Sequence, residues 1–307
     1  MMELTDTNAA AIAAQFLVER RRAGSPAMGM VMTMVIVADE DTAKDAMKAA
    51  RKAAREHPAR LLGVIIGDRR GAGRVDAQFG IGANDGGEMA LIRLSGAVTK
   101  HPDSVVLPLL LPDSPVVVWW PGKAPDDPGH DPLGALGQRR ITDAASAPTG
   151  KTRAMLTQGR GYAPGNTDLA WTRITGWRAL LAAALDQERT KVIRASVTAE
   201  RISPSADLLS SWLADRLKVR VDRHTSAGPG ITRVVLTTKQ GDITLSRTDG
   251  RLATLSSPEQ PDRPIALKRR EVPELLAEEL RRLDPDDTYH ATIKRLMRDD
   301  AKKSVAS

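Results

Sequence analysis

The residues that could carry chemistry in this chain are few, and each is testable by its spacing. The five histidines are His57, His101, His130, His224 and His290. None stand as HxxxH or HxH, so local sequence builds no zinc site from them. His101, Asp103 and Ser104 sit together in HPDS and have the residue types of a catalytic triad. Triad members, however, come from distant segments, and no GxSxG turn presents a nucleophile. A histidine ahead of a proline in a turn reads first as structural. Asp126, Asp127 and Asp131 have the oxygens for a hard cation, but they fall in a Pro/Gly-rich loop and read as solvated turn formers. The basic, glycine-rich run Gly67–Arg74 follows a strand pattern, yet it lacks the Lys-Ser/Thr of a phosphate loop and no clear helix follows. The segment from Gly80 to Gly86 has the wrong spacing for a dinucleotide fingerprint. With no cysteine in the chain, disulfides, thiolate catalysis and thiolate metal sites are excluded. No catalytic residue, metal ligand or cofactor is assigned.

A different set resists a bland reading: Gln138, Arg139, Arg140, Asp143, Asp168, Trp171 and Arg173. Arginine beside tryptophan combines stacking with bidentate hydrogen bonding, which is the make-up of an interface anchor. Arg139 and Arg140 also have the form of an anion fork for a sugar phosphate. A third reading makes the set an internal salt-bridge network. All three stay open on residue types alone.

The elements that must position them centre on residues 101–143. Pro108, Pro112 and Pro115 rule out one long helix there. The pattern predicts an extended piece at Val105–Leu111, a turn, and a buried strand at Val116–Trp120 ending in two tryptophans on opposite faces. One of these fits the core; the other needs cover from a second domain or a partner. Upstream, a helix over 8–22 precedes a continuous apolar run at Met28–Val37. A helix over 42–56, with Thr42 and Asp45 as a capping box, and a strand at Leu61–Ile66 complete a strand–helix–strand unit. Strands at Val75–Ile81 and Glu88–Leu94 follow. Downstream, Thr167 or Asp168 caps a helix over 169–187. A strand at Val192–Thr198, a helix at Ser205–Leu217 and a hairpin of Ile231–Thr238 with Asp242–Arg247 come next. A short strand at Leu252–Leu255, a connector over 256–265 and closing helices at Val272–Leu283 and Tyr289–Met297 lead to a frayed tail over 299–307. The fold class is mixed α/β, with two α/β regions that each hold a sheet flanked by helices, a texture compatible with a degenerate duplication. The expected domains are 1–150 and 151–307.

Composition narrows the function. The chain has 307 residues, 41% hydrophobic and 27% charged, within the range of globular proteins. Aromatics make up only 3%, and five of the nine are Trp. The formal charge is +7, with 32 Arg against 13 Lys, but the basic runs are short and not interleaved with aromatics. Neither a nucleic-acid nor a membrane partner is expected. The N-terminal stretch shows no secretory pattern, so a cytoplasmic location is expected.

The strings HPARLLGVI, HPDSVVLPLLLPDSPVVVWWPG, DPLGALGQRRITD and GYAPGNTDLAWTRITGWRALLAAALDQ resemble the OpcA family of glucose-6-phosphate dehydrogenase assembly proteins. The likeness is strong from about residue 28 to 190 and looser to about 300. It implies a non-catalytic partner that binds that dehydrogenase, favours its active oligomer and activates it allosterically, feeding the oxidative pentose phosphate pathway and NADPH supply. Thiol redox control, found in some relatives, cannot run through a chain without cysteine. The expected contact surface is Trp119, Trp120, Gln138, Arg139, Arg140, Asp168, Trp171 and Arg173, and alanine at both Arg139 and Arg140 is expected to weaken association without unfolding the chain. The alternative is a sugar-phosphate- or nucleotide-binding enzyme or sensor of α/β fold.

Overall fold

The computed structural model describes residues 2–22, 29–82, 87–188 and 190–306. In chain order the elements are β1 (Met2–Leu4), α1 (Ala9–Arg22), β2 (Met32–Ala38), α2 (Glu40–Ala53), β3 (Ala59–Ile66), β4 (Arg74–Gly82), β5 (Gly87–Ser95), α3 (Pro102–Val106), β6 (Val116–Trp119), β7 (Arg139–Thr142), α4 (Lys151–Arg160), β8 (Asn166–Asp168), α5 (Leu169–Thr172), α6 (Thr175–Glu188), β9 (Val192–Ala199), α7 (Pro204–Leu217), β10 (Val221–Thr225), β11 (Ile231–Thr238), β12 (Asp242–Ser246), β13 (Leu252–Ser256), β14 (Arg263–Ala266), α8 (Val272–Leu280) and α9 (Asp287–Ala306). They form two compact units. Unit 1 holds Met1–Ser146, Gly161–Thr167 and Val272–Pro285; unit 2 holds Ala147–Arg160, Asp168–Glu271 and Asp286–Ser307. The chain is mixed α/β, with one sheet in each region flanked by helices.

The sheet of unit 1 runs β1-β4-β5-β3-β2-β6-β7-β8. Five of these strands, β5-β3-β2-β6-β7, are parallel neighbours. Their chain order along the sheet is third, second, first, fourth, fifth, which is the doubly wound arrangement. The reason is visible in the residues. β2 (MTMVIVA) is buried from Met32 to Ile36 and β6 (VVVW) throughout, as parallel strands covered on both faces must be. α2 lays Ala43, Ala46, Met47, Ala50 and Ala53 on the sheet. Gly63 lets it lie close, because a Cβ there would stand 2.7 Å from both the Met47 sulfur and a Leu91 methyl. On the opposite face, Ile12 and Phe16 of α1 join Val35, Leu62, Ala77, Ile92 and Trp120 in one core cluster.

The sheet of unit 2 runs β10-β9-β11-β12-β13-β14. β9 and β10 are parallel and joined by α7; the others form an antiparallel meander. α7 starts as its sequence dictates, with Ser203 accepting from the Ala206 amide and Pro204 at the first helical position. Its buried Leu208, Leu209 and Leu213 face a core that includes Val197, Leu236 and Ile243, while α9 packs on α7 and α4.

Several expectations change. The piece expected to be extended over 105–111 is helical as far as Leu109: α3 is followed by a single 3-10 turn at Leu107–Leu109. Pro102 and Pro108 each sit in a first turn, where a missing N–H costs nothing, so these prolines start short helices instead of extending the chain. α2 starts three residues earlier than the Thr42–Asp45 box implies, with Asp39 at the N-cap. The helix expected over 169–187 is two helices, broken at Arg173-Ile174. The connector contains β14, and the tail stays helical to Ala306. The stop at Gly24-Ser25-Pro26, the strand start at Met28 and the end of the Gly80–Gly86 segment lie outside the described residues.

Candidate functional site

In a doubly wound sheet ligands sit beyond the carboxyl ends of the strands, where the strand order reverses. Here that point lies between β2 and β6, and the turn leaving β2 is Ala38-Asp39-Glu40. Dinucleotide-binding folds place glycines and a bare helix N-terminus there, so that amides and the helix dipole meet a pyrophosphate. This chain puts Asp39 at the N-cap and Glu40 and Asp41 in the first turn of α2. Glu40 is held by Arg93 of β5 at 2.7 Å, and the guanidinium keeps its carboxyl below the usual glutamate range. The dipole of α2 is therefore already matched by carboxylates, and a phosphate arriving there meets negative charge.

β7, at the far side of the switch, carries the two arginines, and Gln138 immediately precedes it. Gln138 is exposed, and its side-chain oxygen accepts from the Val116 amide at 2.5 Å, bracing the start of β6. Successive residues of a strand point to opposite faces, and Arg139 and Arg140 use this to do two jobs. Arg139 is 4% exposed and pairs with Glu279 of α8 at 2.5 Å, while it donates to the Asp284 carbonyl at 3.0 Å. Arg140 donates to the side chain of Asn166 at 2.5 Å, to the Gly137 carbonyl at 2.6 Å and to the Pro164 carbonyl. These partners are neutral, and burial pushes its guanidinium below the ordinary arginine value. The string GYAPGN thus has a structural reason: it is the loop that Arg140 clamps onto β7. Gly165 has φ +91°, and a Cβ on it would lie 2.2 Å from the Gln138 carbonyl oxygen. Trp119 and Trp120 are 1% and 2% exposed, so both are covered within the chain itself.

In unit 2, Asp168 is fully buried and caps α5 by accepting from the Ala170 amide at 2.8 Å. Trp171 donates its indole N–H to Asp286 at 2.8 Å, and Tyr289 packs beside it at 5.7 Å. The guanidinium on its face, 3.6 Å from the ring centroid, belongs to Arg178; Arg173 is half-buried next to the break between α5 and α6. Arg247, 5.1 Å from the Trp177 ring, donates to the carbonyls of Leu267 and Ile231, and burial, with Arg269 nearby, lowers it to about 10.

Within unit 1 the structure brings together Trp119, Trp120, Gln138, Arg139 and Arg140; Asp168, Trp171 and Arg173 lie in unit 2. Six of the eight are less than a tenth exposed. Alanine at both Arg139 and Arg140 therefore tests folding before it tests binding. The acidic loop is also accounted for. Asp127 accepts from the Gly129 and His130 amides and pairs with the His130 ring at 2.8 Å, and Asp131 accepts from the Leu133 and Gly134 amides, both at 3.0 Å. No group of three or more His, Asp or Glu able to hold a metal occurs among the described residues. Sequence reasoning passed over one feature whose signal was present: Lys44, Lys48, Arg51 and Arg55, spaced 4, 3 and 4, mark one flank of α2 as a basic stripe. That stripe lines a groove against β4 and β5.

Comparison with known proteins bears on the fold and the family. No curated protein sequence matches the chain. A 3-ketoreductase from Actinomadura kijaniata, solved in complex with TDP-benzene and NADP, is similar in fold, with a TM-score of 0.50 at 10% identity over 89% of this chain and 97% of that one. An NAD-binding oxidoreductase from Klebsiella pneumoniae gives a TM-score of 0.46 at 10% identity, over 90% of this chain and 98% of that one. At such identity the likeness is one of fold alone. Sequence families are more specific. Residues 50–158 match the N-terminal domain, and residues 164–293 the C-terminal domain, of the glucose-6-phosphate dehydrogenase subunit. The two matches meet in the segment that Arg140 clamps and together span most of the chain, and on them the chain belongs to the OpcA family of glucose-6-phosphate dehydrogenase assembly proteins.

Proposed function

We propose that the chain is a non-catalytic partner of glucose-6-phosphate dehydrogenase that binds the enzyme, promotes its active oligomer and activates it allosterically. It would thereby feed the oxidative pentose phosphate pathway and NADPH supply, in the cytoplasm. The family membership carries this reading. The acidic start of α2 supports it, because carboxylates stand where a Rossmann-type enzyme would receive a cofactor's phosphates. The same feature weighs against the alternative, a nucleotide- or sugar-phosphate-binding enzyme or sensor using that crevice. Of the eight residues singled out in the sequence, Gln138 and Arg173 keep surface for direct contact. The other six are buried within their units.

An activator must bind the active state of its enzyme more tightly than the inactive one, since equal affinity shifts nothing. The test is the enzyme of the same source assayed with and without this chain across glucose 6-phosphate concentrations, with size exclusion alongside. A lower half-saturation or higher maximal rate, with co-elution in a larger assembly, is expected. Two folded proteins that neither co-elute nor alter each other's kinetics would refute the proposal. Thermal stabilisation of the chain by nucleotides or sugar phosphates would then favour the alternative.

A further inference from the structure

We infer that the groove between α2 and the β4–β5 hairpin seats an acidic amphipathic helix of the partner dehydrogenase; this rests on the function proposed above and names its contact surface. On this face of the sheet α8 packs beside α2, and α2 lies over β2 and β3. Beyond α2 the same face continues over β5 and β4, where Met89 and Leu91 remain partly exposed. The reverse face of those two strands is closed: Val75, Ala77, Phe79, Ala90, Ile92 and Leu94 lie in the core cluster with Ile12 and Phe16 of α1. Strands about 4.8 Å apart give two of them roughly the 8–10 Å width that one packed helix occupies. The groove has a volume of about 730 Å³. Among the described residues α2 and α8 form the helical layer here, and the groove has the place of a third helix beside them.

The chemistry of the walls selects the occupant. Met47, Met89 and Leu91 give an apolar floor, and methionine adapts to an irregular partner. Gly80 leaves room for Met89 to lie flat, since a Cβ there would stand 2.3 Å from the Met89 terminal methyl. Along the α2 wall, Lys44, Lys48 and Arg51 cover seven residue steps, roughly 10 Å at 1.5 Å per residue, and Arg55 follows in the turn after the helix. That is too long for the charge of one small anion, but it matches carboxylates repeating every three to four residues on a neighbouring helix. The acid lining the groove, Glu40, is already paired with Arg93. The ring of Phe79, 3% exposed, offers no platform on which bases could stack.

The test uses the full chain and the dehydrogenase of the same source. Lys44→Glu with Lys48→Glu reverses two exposed charges without touching the core, and Lys239→Glu, exposed in unit 2, serves as the control. The double variant is expected to bind the enzyme roughly tenfold more weakly or worse, with a flatter salt dependence, while the control binds as wild type. Zero-length carboxylate–amine cross-linking, mapped by mass spectrometry, should join Lys44 and Lys48 to acidic residues spaced three or four apart in one helix of the enzyme. If wild type binds and a folded double variant binds equally well, the groove is not the seat and the assembly role stands. Cross-links to a loop or to scattered acids overturn the helix. If wild type does not bind the enzyme, the assembly role and this inference fall together. Salt-steep retention of wild type on single-stranded RNA, lost in the double variant, would reassign the groove to nucleic acid.

Discussion

Glu279→Gln probes the tie between β7 and α8 inside unit 1. The side chains of Arg139 and Glu279 are 5% and 7% exposed and lie 2.5 Å apart. Glutamine keeps the size and one acceptor but removes the charge, leaving Arg139 buried without a counter-ion. Breaking a buried pair from one side costs about 3–5 kcal/mol. For a unit of this size each kcal/mol moves the melting temperature by roughly 2–4 °C, so the transition of unit 1 should fall by roughly 6 to 20 °C. Arg139→Met combined with Glu279→Leu removes both charges and should recover most of the loss, because an apolar pair of similar volume commonly replaces a buried ion pair at little cost. The Asp284 carbonyl that loses its Arg139 donor sets the remainder, about 1–3 kcal/mol. The assay is thermal unfolding by circular dichroism, with amide exchange at β6 and β7 to assign the transition. A Glu279→Gln protein melting with wild type, or a double variant worse than the single, would refute the reasoning.

Other outcomes follow from single contacts. Gly165→Ala forces a side chain into φ +91° against the Gln138 carbonyl, so it should cost at least about 1–3 kcal/mol and loosen the 161–166 loop, read by amide exchange. Trp171→Phe removes the indole donor to Asp286, and unit 2 should lose about 1–3 kcal/mol in urea unfolding. Asp76 accepts from the Asp6 amide and then from Arg74, which hold its carboxyl below the ordinary aspartate value. A depressed carboxylate stabilises the fold above its unfolded pKa and loses that contribution as pH falls through the folded one. Asp76→Asn should therefore flatten the loss of stability below about pH 4 relative to wild type, measured by melting at stepped pH.

Much of this architecture is written in local pattern. β2, β3 and β6 are legible because a strand buried on both faces is a nearly continuous apolar run, broken here only by Thr33 and Arg60, and α2 because its alanines recur at helical spacing. β7 was not legible as a strand: its two arginines are buried through one ion pair and through carbonyl and amide contacts, most of them with partners 24 to 145 residues away. That same distance hid the use of Arg139 and Arg140. Charge and planarity marked them as anchors, while burial turned those properties inward. The guanidinium on the face of Trp171 is that of Arg178, where the broken helix resumes, a residue the sequence reading did not single out. The basic stripe of α2 was readable from spacing alone. Its meaning was not, because the bare strands beside it arrive from β4 and β5.

The interleaving of the two units also fixes an order of events during synthesis. The chain leaves unit 1 after Ser146, returns for Gly161–Thr167 and returns again for Val272–Pro285. Glu279 is polymerised 140 residues after Arg139. At roughly 5–20 residues per second the arginine waits about 7 to 28 s for its counter-charge. Through that interval the nascent chain holds a nearly complete parallel sheet that lacks α8. It is during this wait, and not after release, that the protein most needs shelter from aggregation, and a fragment ended anywhere before residue 272 would remain in that state permanently.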